Sequence, residues 1–196
     1  MKPYAESCDQ NRDPILGVIS RLFAQSSKVL EVGSGTGQHA VYFACKMPHL
    51  VWQTSDRAEH HQGIRMWIDE SGLLNVAAPL LLDVCQEEWP VLGVDAVFSA
   101  NTAHIMHWSE VKAMFQGVGR VLDSAGIFAL YGPFNYQRSY TSESNAKFDR
   151  WLKLRDSDSG IRDFEPLNRL ANVAGMSLID DFEMPANNRL LAWRKV

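Results

Sequence analysis

Apolar and polar positions fall into alternating blocks along the 196-residue chain, and the blocks switch between two periods. Short apolar runs at 29–32, 50–56, 80–83, 94–100 and 126–132 have the length and side-chain content of buried strands. Longer stretches with apolar residues at helical spacing lie between them. Asp13 before Pro14 reads as an N-cap with proline at the first helical position. It predicts a first helix carrying Ile15, Leu16, Val18, Ile19, Leu22 and Phe23 on one stripe. A second helix follows residue 37 through Ala40, Val41, Phe43 and Ala44. A third spans about 59–71 and stops at Gly72, a suitable C′ residue. Ser109 is placed to cap a fourth, with Val111, Met114, Phe115, Val118, Val121 and Leu122 apolar. Helices at 144–156 and 165–174 precede two closing strands, 177–183 and 189–194, joined by a tight link. The first fourteen residues and the stretch 133–140 show no period; an aperiodic connection of the latter kind is often a lid or binding loop.

Strands alternating with helices predict an α/β fold with a doubly wound, seven-stranded, mostly parallel sheet. The tight final link requires one antiparallel strand near the C-terminus. The length suits a single domain over 1–196 with a substantial core.

Composition narrows the function classes only modestly. Hydrophobic residues make up 46% and charged residues 21%, as in ordinary globular proteins, and the net charge of −4 offers no attraction for nucleic acid or an anionic membrane. Cys8, Cys45 and Cys85 are odd in number and far apart, with no CxxC pair, which fits a reducing, cytoplasmic setting rather than a disulfide framework. The polar start has no secretory apolar core, and no apolar run is long enough to span a bilayer.

The chemistry concentrates at the end of the first strand. Glycines stand at alternate positions, Gly33, Gly35 and Gly37, between strand and helix. A dinucleotide fingerprint would need glycine at 38, where Gln38 stands, and a phosphate loop would need a lysine that is absent. Glu31 would repel a phosphate but suits a cationic ligand. The pattern Glu31-x-Gly33-x-Gly35-x-Gly37 resembles motif I of class I S-adenosylmethionine-dependent methyltransferases, whose cofactor carries a sulfonium and an ammonium. The same turn also occurs in α/β proteins without that role.

In an open parallel sheet, ligands bind outside the carboxyl ends of the strands at the switch point of strand order. Those ends present Asp56, Asp83, Asn101 to His107 and Tyr131. Asp56 is placed for ribose hydroxyls or as a helix N-cap. Asp83, by resemblance, meets the adenine amino group with Val84 beside the ring, or caps the following turn. His104 and His107 are the candidate bases, with packing or capping as the plain alternative. Their i, i+3 spacing offers two metal ligands, but no further ligand lies nearby in sequence, and no metal is expected. Tyr131, Tyr136 and Tyr140 are placed to orient substrate or to pack.

The stretches 11–15, 35–40, 101–105 with Trp108, 131–134, 160–163 and 184–188 together resemble the small methyltransferase-like 26 (domain of unknown function 938) family over nearly the whole chain. The chain departs from that family at Asp13, where Glu is frequent, and at Gly33, where some members carry Ala. The resemblance implies a Rossmann-like class I methyltransferase fold and a cofactor site for S-adenosylmethionine. That site comprises Asn11, Arg12, Glu31, Gly33, Ser34, Gly35, Thr36, Gly37, Gln38, His39, Asp56, Arg57, Asp83, Val84 and Asn101. Arg12 is placed to pair with the methionyl carboxylate. The catalytic expectation falls on His104, His107 and Tyr131, acting on a small-molecule acceptor. A non-catalytic cofactor-binding regulator and an NAD(P)-dependent oxidoreductase are the rival readings.

Overall fold

The computed structural model describes residues 2–91 and 93–196. In chain order the elements are α1 (Glu6–Leu22), β1 (Lys28–Val32), α2 (Gln38–Lys46), β2 (Val51–Asp56), α3 (Ala58–Ser71), β3 (Val76–Leu81), β4 (Val94–Ala100), α4 (Trp108–Val121), β5 (Leu122–Gly132), β6 (Phe134–Asn135), α5 (Glu143–Arg155), β7 (Arg162–Asp163), α6 (Phe164–Val173), β8 (Met176–Met184) and β9 (Asn188–Lys195). Seven strands form one sheet in the order β3-β2-β1-β4-β5-β9-β8. Strand β9 runs antiparallel to both its neighbours, and the other pairings are parallel. This is the α/β architecture that the patterning predicts.

Alternation along the strands splits the core. On one face Val29, Trp52, Phe98 and Ala129 pack beneath Ile15 and Ile19 of α1 and Phe43 of α2. On the other, Leu30, Val97, Phe128 and Trp193 meet Val111, Phe115 and Val118 of α4 and Leu167 of α6. Successive residues of a strand point to opposite faces, so a strand covered on both sides is apolar throughout. That is why β1 and β4 read as mostly apolar runs, interrupted by Glu31 in β1 and by Asp95 and Ser99 in β4. Strands β1 and β4 are adjacent at the switch point, with Val29 paired to Ala96.

Four boundaries differ from the sequence expectation. Helix α1 starts at Glu6, so Pro14 lies inside it and not at its first turn. Tertiary bonds decide this: the Ala5 amide donates to Gln38 Oε1 at 2.6 Å, and Asn11 Oδ1 meets His39 Nε2 at 2.7 Å. These contacts offset the loss of a backbone bond at Pro14, a defect that typically costs about 3 kcal/mol. Strand β3 begins at Val76 and stops at Leu81; its Pro79 is tolerated because β3 is an edge strand. His107, not Ser109, is the N-cap of α4, and its amide donates to Glu110 Oε2 at 2.7 Å. Strand β5 starts at Leu122, directly after α4.

The aperiodic stretch after β5 is tied down. Strand β6 pairs in parallel with β7, the Tyr136 hydroxyl donates to Asp181 at 2.6 Å, and the Tyr140 hydroxyl donates to Asp149 at 2.6 Å. Tyr136 and Tyr140 therefore act in packing and tethering. No described helix is long and apolar enough to cross a membrane.

Candidate active site

The glycine turn after β1 adopts left-handed dihedrals at all three glycines, with φ of +75° at Gly33, +56° at Gly35 and +90° at Gly37. A Cβ at Gly33 would fall 2.7 Å from Thr102 Cγ2, and one at Gly37 would fall 3.0 Å from Ile64 Cα. Those two glycines are required by packing. Gly35 differs: a Cβ there would meet nothing within 4 Å. Its backbone faces open space beside the carboxyl ends of the strands, as a ligand-cradling glycine should.

Polar groups organise around this turn. Glu31 is buried and accepts from Ser34 Oγ at 2.8 Å and Trp52 Nε1 at 3.1 Å. Burial raises its pKa to about 7, against the pull of those two donors. Ser34 Oγ also accepts the Ser55 amide at 3.1 Å. Asp56 stands at the end of β2 with one carboxylate oxygen on the Gly35 amide at 2.7 Å and the other on the Arg57 amide at 2.8 Å. The Arg57 side chain reaches Glu110 of α4 at 2.5 Å, spanning the carboxyl ends of the central strands. A pocket of about 410 Å³ beside the turn is lined by Gly35, Thr36, His60 and Gly63, among others.

Several residues assigned to the cofactor by resemblance have structural partners within the chain. Gln38 holds Ala5 through both ends of its amide, and Thr36 Oγ1 donates to the same Gln38 oxygen at 3.0 Å. His39 is buried against Phe43 and Asn11, and burial lowers its pKa to about 4. Arg12 turns to Asp9 at 2.5 Å and lies 4.6 Å over the Tyr42 ring. Asp83 sits two residues beyond β3 and accepts the Cys85 amide at 2.9 Å, the local turn cap. Val84 is buried in the α4-side core.

Beside the turn lies a cleft of about 1040 Å³ at the carboxyl ends of β4 and β5. Asn11, Asn101, His104 and Tyr131, all picked out by sequence, line it. Asn101 holds a left-handed φ of +59°, with its amide on the Tyr131 carbonyl at 2.9 Å. Ala186 and Asn187 on the β8–β9 link are also left-handed and line the same cleft. Strained backbone of this kind collects at functional sites. Tyr131 lies beside Asn11 and Asn188, and burial raises its pKa to about 12, which keeps its hydroxyl a donor.

The two histidines part company. The His104 ring is buried, packs edge-on against Phe148 at 5.3 Å and makes no side-chain hydrogen bond with the described residues. Burial, with the nearby Arg162 charge, lowers its pKa to about 4, so it is a neutral imidazole near pH 7. His107 is half-exposed and pairs through Nε2 with Asp156 Oδ2 at 2.7 Å, which raises its pKa. The fold also brings Asp158 to this pair, with one ligand atom from each residue within 4.8 Å of the others. Sequence proximity could not reveal those carboxylates.

The loop carrying His104 is held by the segment 159–162. Ser159 Oγ donates to the Ile105 carbonyl at 2.8 Å, and Arg162 Nε donates to the Ala103 carbonyl at 3.0 Å. Arg162 Nη2 serves the carbonyls of Met106 and Asp158. Patterning did not single out Arg162 for this task, nor Phe148, Trp151 and Arg155 of α5 as cleft residues. The available signal was their i, i+3, i+7 spacing on one helix.

A family model described as "Protein of unknown function (DUF938)" matches residues 2–195. Among solved structures, the chain superposes on an O-methyltransferase family protein from Burkholderia thailandensis with a TM-score of 0.83 and 15% identity, over 93% of this chain and 55% of that one. An O-methyltransferase family 2 protein from Planctomyces limnophilus, in complex with apigenin, gives 0.82 and 14%, over 97% of this chain and 60% of that one. PigF with SAH gives 0.77 and 18%, over 94% and 55%. The chain thus spans between half and two thirds of the length of these structures. At these identities the likeness establishes a shared Rossmann-like fold.

Proposed function

The chain belongs to the DUF938 family, and from its site geometry we propose that it is an S-adenosylmethionine-dependent methyltransferase acting on a small molecule. The observation that carries this reading is an open glycine cradle at the carboxyl end of β1 and a cleft lined by His104 at the carboxyl end of the adjacent β4, both at the switch point of the sheet. The fold shared with methyltransferase structures supports it.

The residues present fit such a cofactor. Gly35 leaves backbone space and Asp56 supplies a carboxylate for hydroxyl groups, while Glu31 backs the turn from within the core through Ser34 and Trp52. Arg57 and Glu110 flank the side expected to take the base. When bound, the cofactor supplies a methyl group on a positive sulfur. Asn101, Tyr131 and Asn188 orient the acceptor in the cleft, beside the apolar side chains of Ile105, Phe148 and Trp151. Alignment of acceptor and methyl supplies much of the rate. His104 takes the acceptor proton on a ring nitrogen, as its neutral state allows.

Calorimetric titration with S-adenosylmethionine and S-adenosylhomocysteine, with NAD and NADP as controls, tests the reading. Saturable binding of the first pair alone is the expected result. Binding of the dinucleotides alone would sink it in favour of hydride chemistry.

A further inference from the structure

One wall of the cleft comes from a single helix face. Phe148, Trp151 and Arg155 of α5 all line it, at positions i, i+3 and i+7, which share a face of a helix. The Phe148 and Trp151 rings stack with centroids 5.8 Å apart and planes at 16°. Trp151 nevertheless stays 49% exposed. A half-exposed indole on a concave wall is a ready surface for another flat apolar group. The Arg155 guanidinium lies 4.6 Å over the Trp151 ring.

The charges in the cleft are unequal. Arg155 is the one lysine or arginine among its described lining residues, and none of the ion pairs among described residues includes it. Asp156 is the one acidic lining residue, and His107 already holds it at 2.7 Å. An uncompensated cation therefore marks one end of the aromatic wall. His104 marks the other, since its ring touches Phe148. From Phe148 to Arg155 the helix advances seven residues, roughly 10 Å at about 1.5 Å each.

We propose that the acceptor is a flat aromatic hydroxy acid. Its ring lies beside the Phe148–Trp151 pair, its carboxylate meets Arg155, and its hydroxyl stands by His104, so the two polar groups sit at opposite ends of the wall that Phe148 and Arg155 span on α5. This rests on the methyl-transfer reading. The acceptor oxygen bonds to the methyl carbon while the carbon–sulfur bond breaks with its electrons left on sulfur. The hydroxyl proton passes to the His104 imidazole. The products are an aryl methyl ether and S-adenosylhomocysteine.

The test uses the whole chain saturated with S-adenosylhomocysteine, whose own binding is measured first. Calorimetry then compares 4-hydroxycinnamate, its methyl ester, the shorter 4-hydroxybenzoate and 4-hydroxycyclohexanecarboxylate. The acid with the longer reach is expected to bind at least tenfold more tightly than the ester, the shorter acid or the saturated ring. Arg155→Gln should erase the preference for acid over ester, whereas Arg150→Gln, outside the cleft, should leave it intact. Equal binding of acid and ester, a preference that survives Arg155→Gln, or binding of none of the four would overturn the proposal. Failure of S-adenosylhomocysteine itself to bind would instead overturn the methyl-transfer reading beneath it.

Discussion

The Gly160 amide donates to the His104 carbonyl at 2.9 Å, joining two loops that lie 56 residues apart in the chain. Gly160 has a φ of +152°, and a Cβ there would sit 2.8 Å from Asp149 Oδ1. That carboxylate also accepts the Ile161 amide at 2.7 Å and binds Lys153 and Tyr140. The segment after α5 is thus clamped between Asp149 and the His104 turn, and it fixes where the imidazole stands.

Gly160→Ala should break that clamp. Strain at the dihedral and the clash with Asp149 predict a loss of about 2–3 kcal/mol in urea denaturation. Methyl transfer should fall further than cofactor binding does. A variant as stable and active as the parent would mean that the clamp is dispensable.

Arg162→Met leaves three backbone carbonyls, at Ala103, Met106 and Asp158, without their donor. Unfolding should become easier by about 2–3 kcal/mol. Removing the cation also relieves one of the two causes that keep the His104 pKa low. The acid limb of the pH–rate profile should therefore move to higher pH, a shift that a purely structural role would not produce. Arg162→Lys should restore part of both.

Gly33→Ala separates two costs at the glycine turn. The residue has a φ of +75°, and its Cβ would fall 2.7 Å from Thr102 Cγ2. The predicted loss is about 2–3 kcal/mol, and cofactor affinity should drop at least tenfold. Adding Thr102→Ser deletes the clashing methyl and should recover the steric share, leaving the dihedral share of about 1 kcal/mol. No recovery in thermal melts of the double variant would refute this division.

The pH dependence of stability has opposing contributions. Glu31 keeps its proton in the folded protein up to about pH 7, against an ordinary value of 4.5. Between those values the folded state holds the extra proton, so stability falls as pH rises, by on the order of 3 kcal/mol. His39 and His104 act the other way, with folded pKa values of about 4 against 6.5. The unfolded chain holds their protons between those values, so stability is lost as pH falls through that window. Glu31→Gln should therefore be more stable than the parent at pH 8, with the gap closing by about pH 4.5. Urea midpoints across this range check it; parallel curves would show that Glu31 titrates normally.

His104→Gln should lower turnover by a factor on the order of 10²–10⁴ while S-adenosylhomocysteine still binds. His107→Ala should leave turnover within a few-fold, because that ring is engaged with Asp156 and does not itself line the cleft. Rate and binding measured together on both variants decide the assignment. A larger loss in His107→Ala than in His104→Gln would reverse it.

The sequence by itself determined the architecture. Doubly covered strands must be apolar on both faces, and helices must carry a stripe, so β1, β4 and α4 could be read from local spacing. Gly33, Gly35 and Gly37 were legible because left-handed dihedrals favour glycine wherever they occur. The roles of polar residues were decided only by tertiary structure. Spacing left His104 and His107 equivalent, but Phe148 buries one ring and Asp156 captures the other, from 44 and 49 residues away. Likewise nothing in the spacing of Asn11, Gln38 and His39 showed that α1, extended to Glu6, sets Ala5 and Asn11 against α2 and bonds them to Gln38 and His39. A hydrophobic side chain needs only a dry neighbour of any kind, so its pattern suffices. A hydrogen bond or ion pair needs one particular partner in one geometry, and distant segments supply that partner only once the chain has folded.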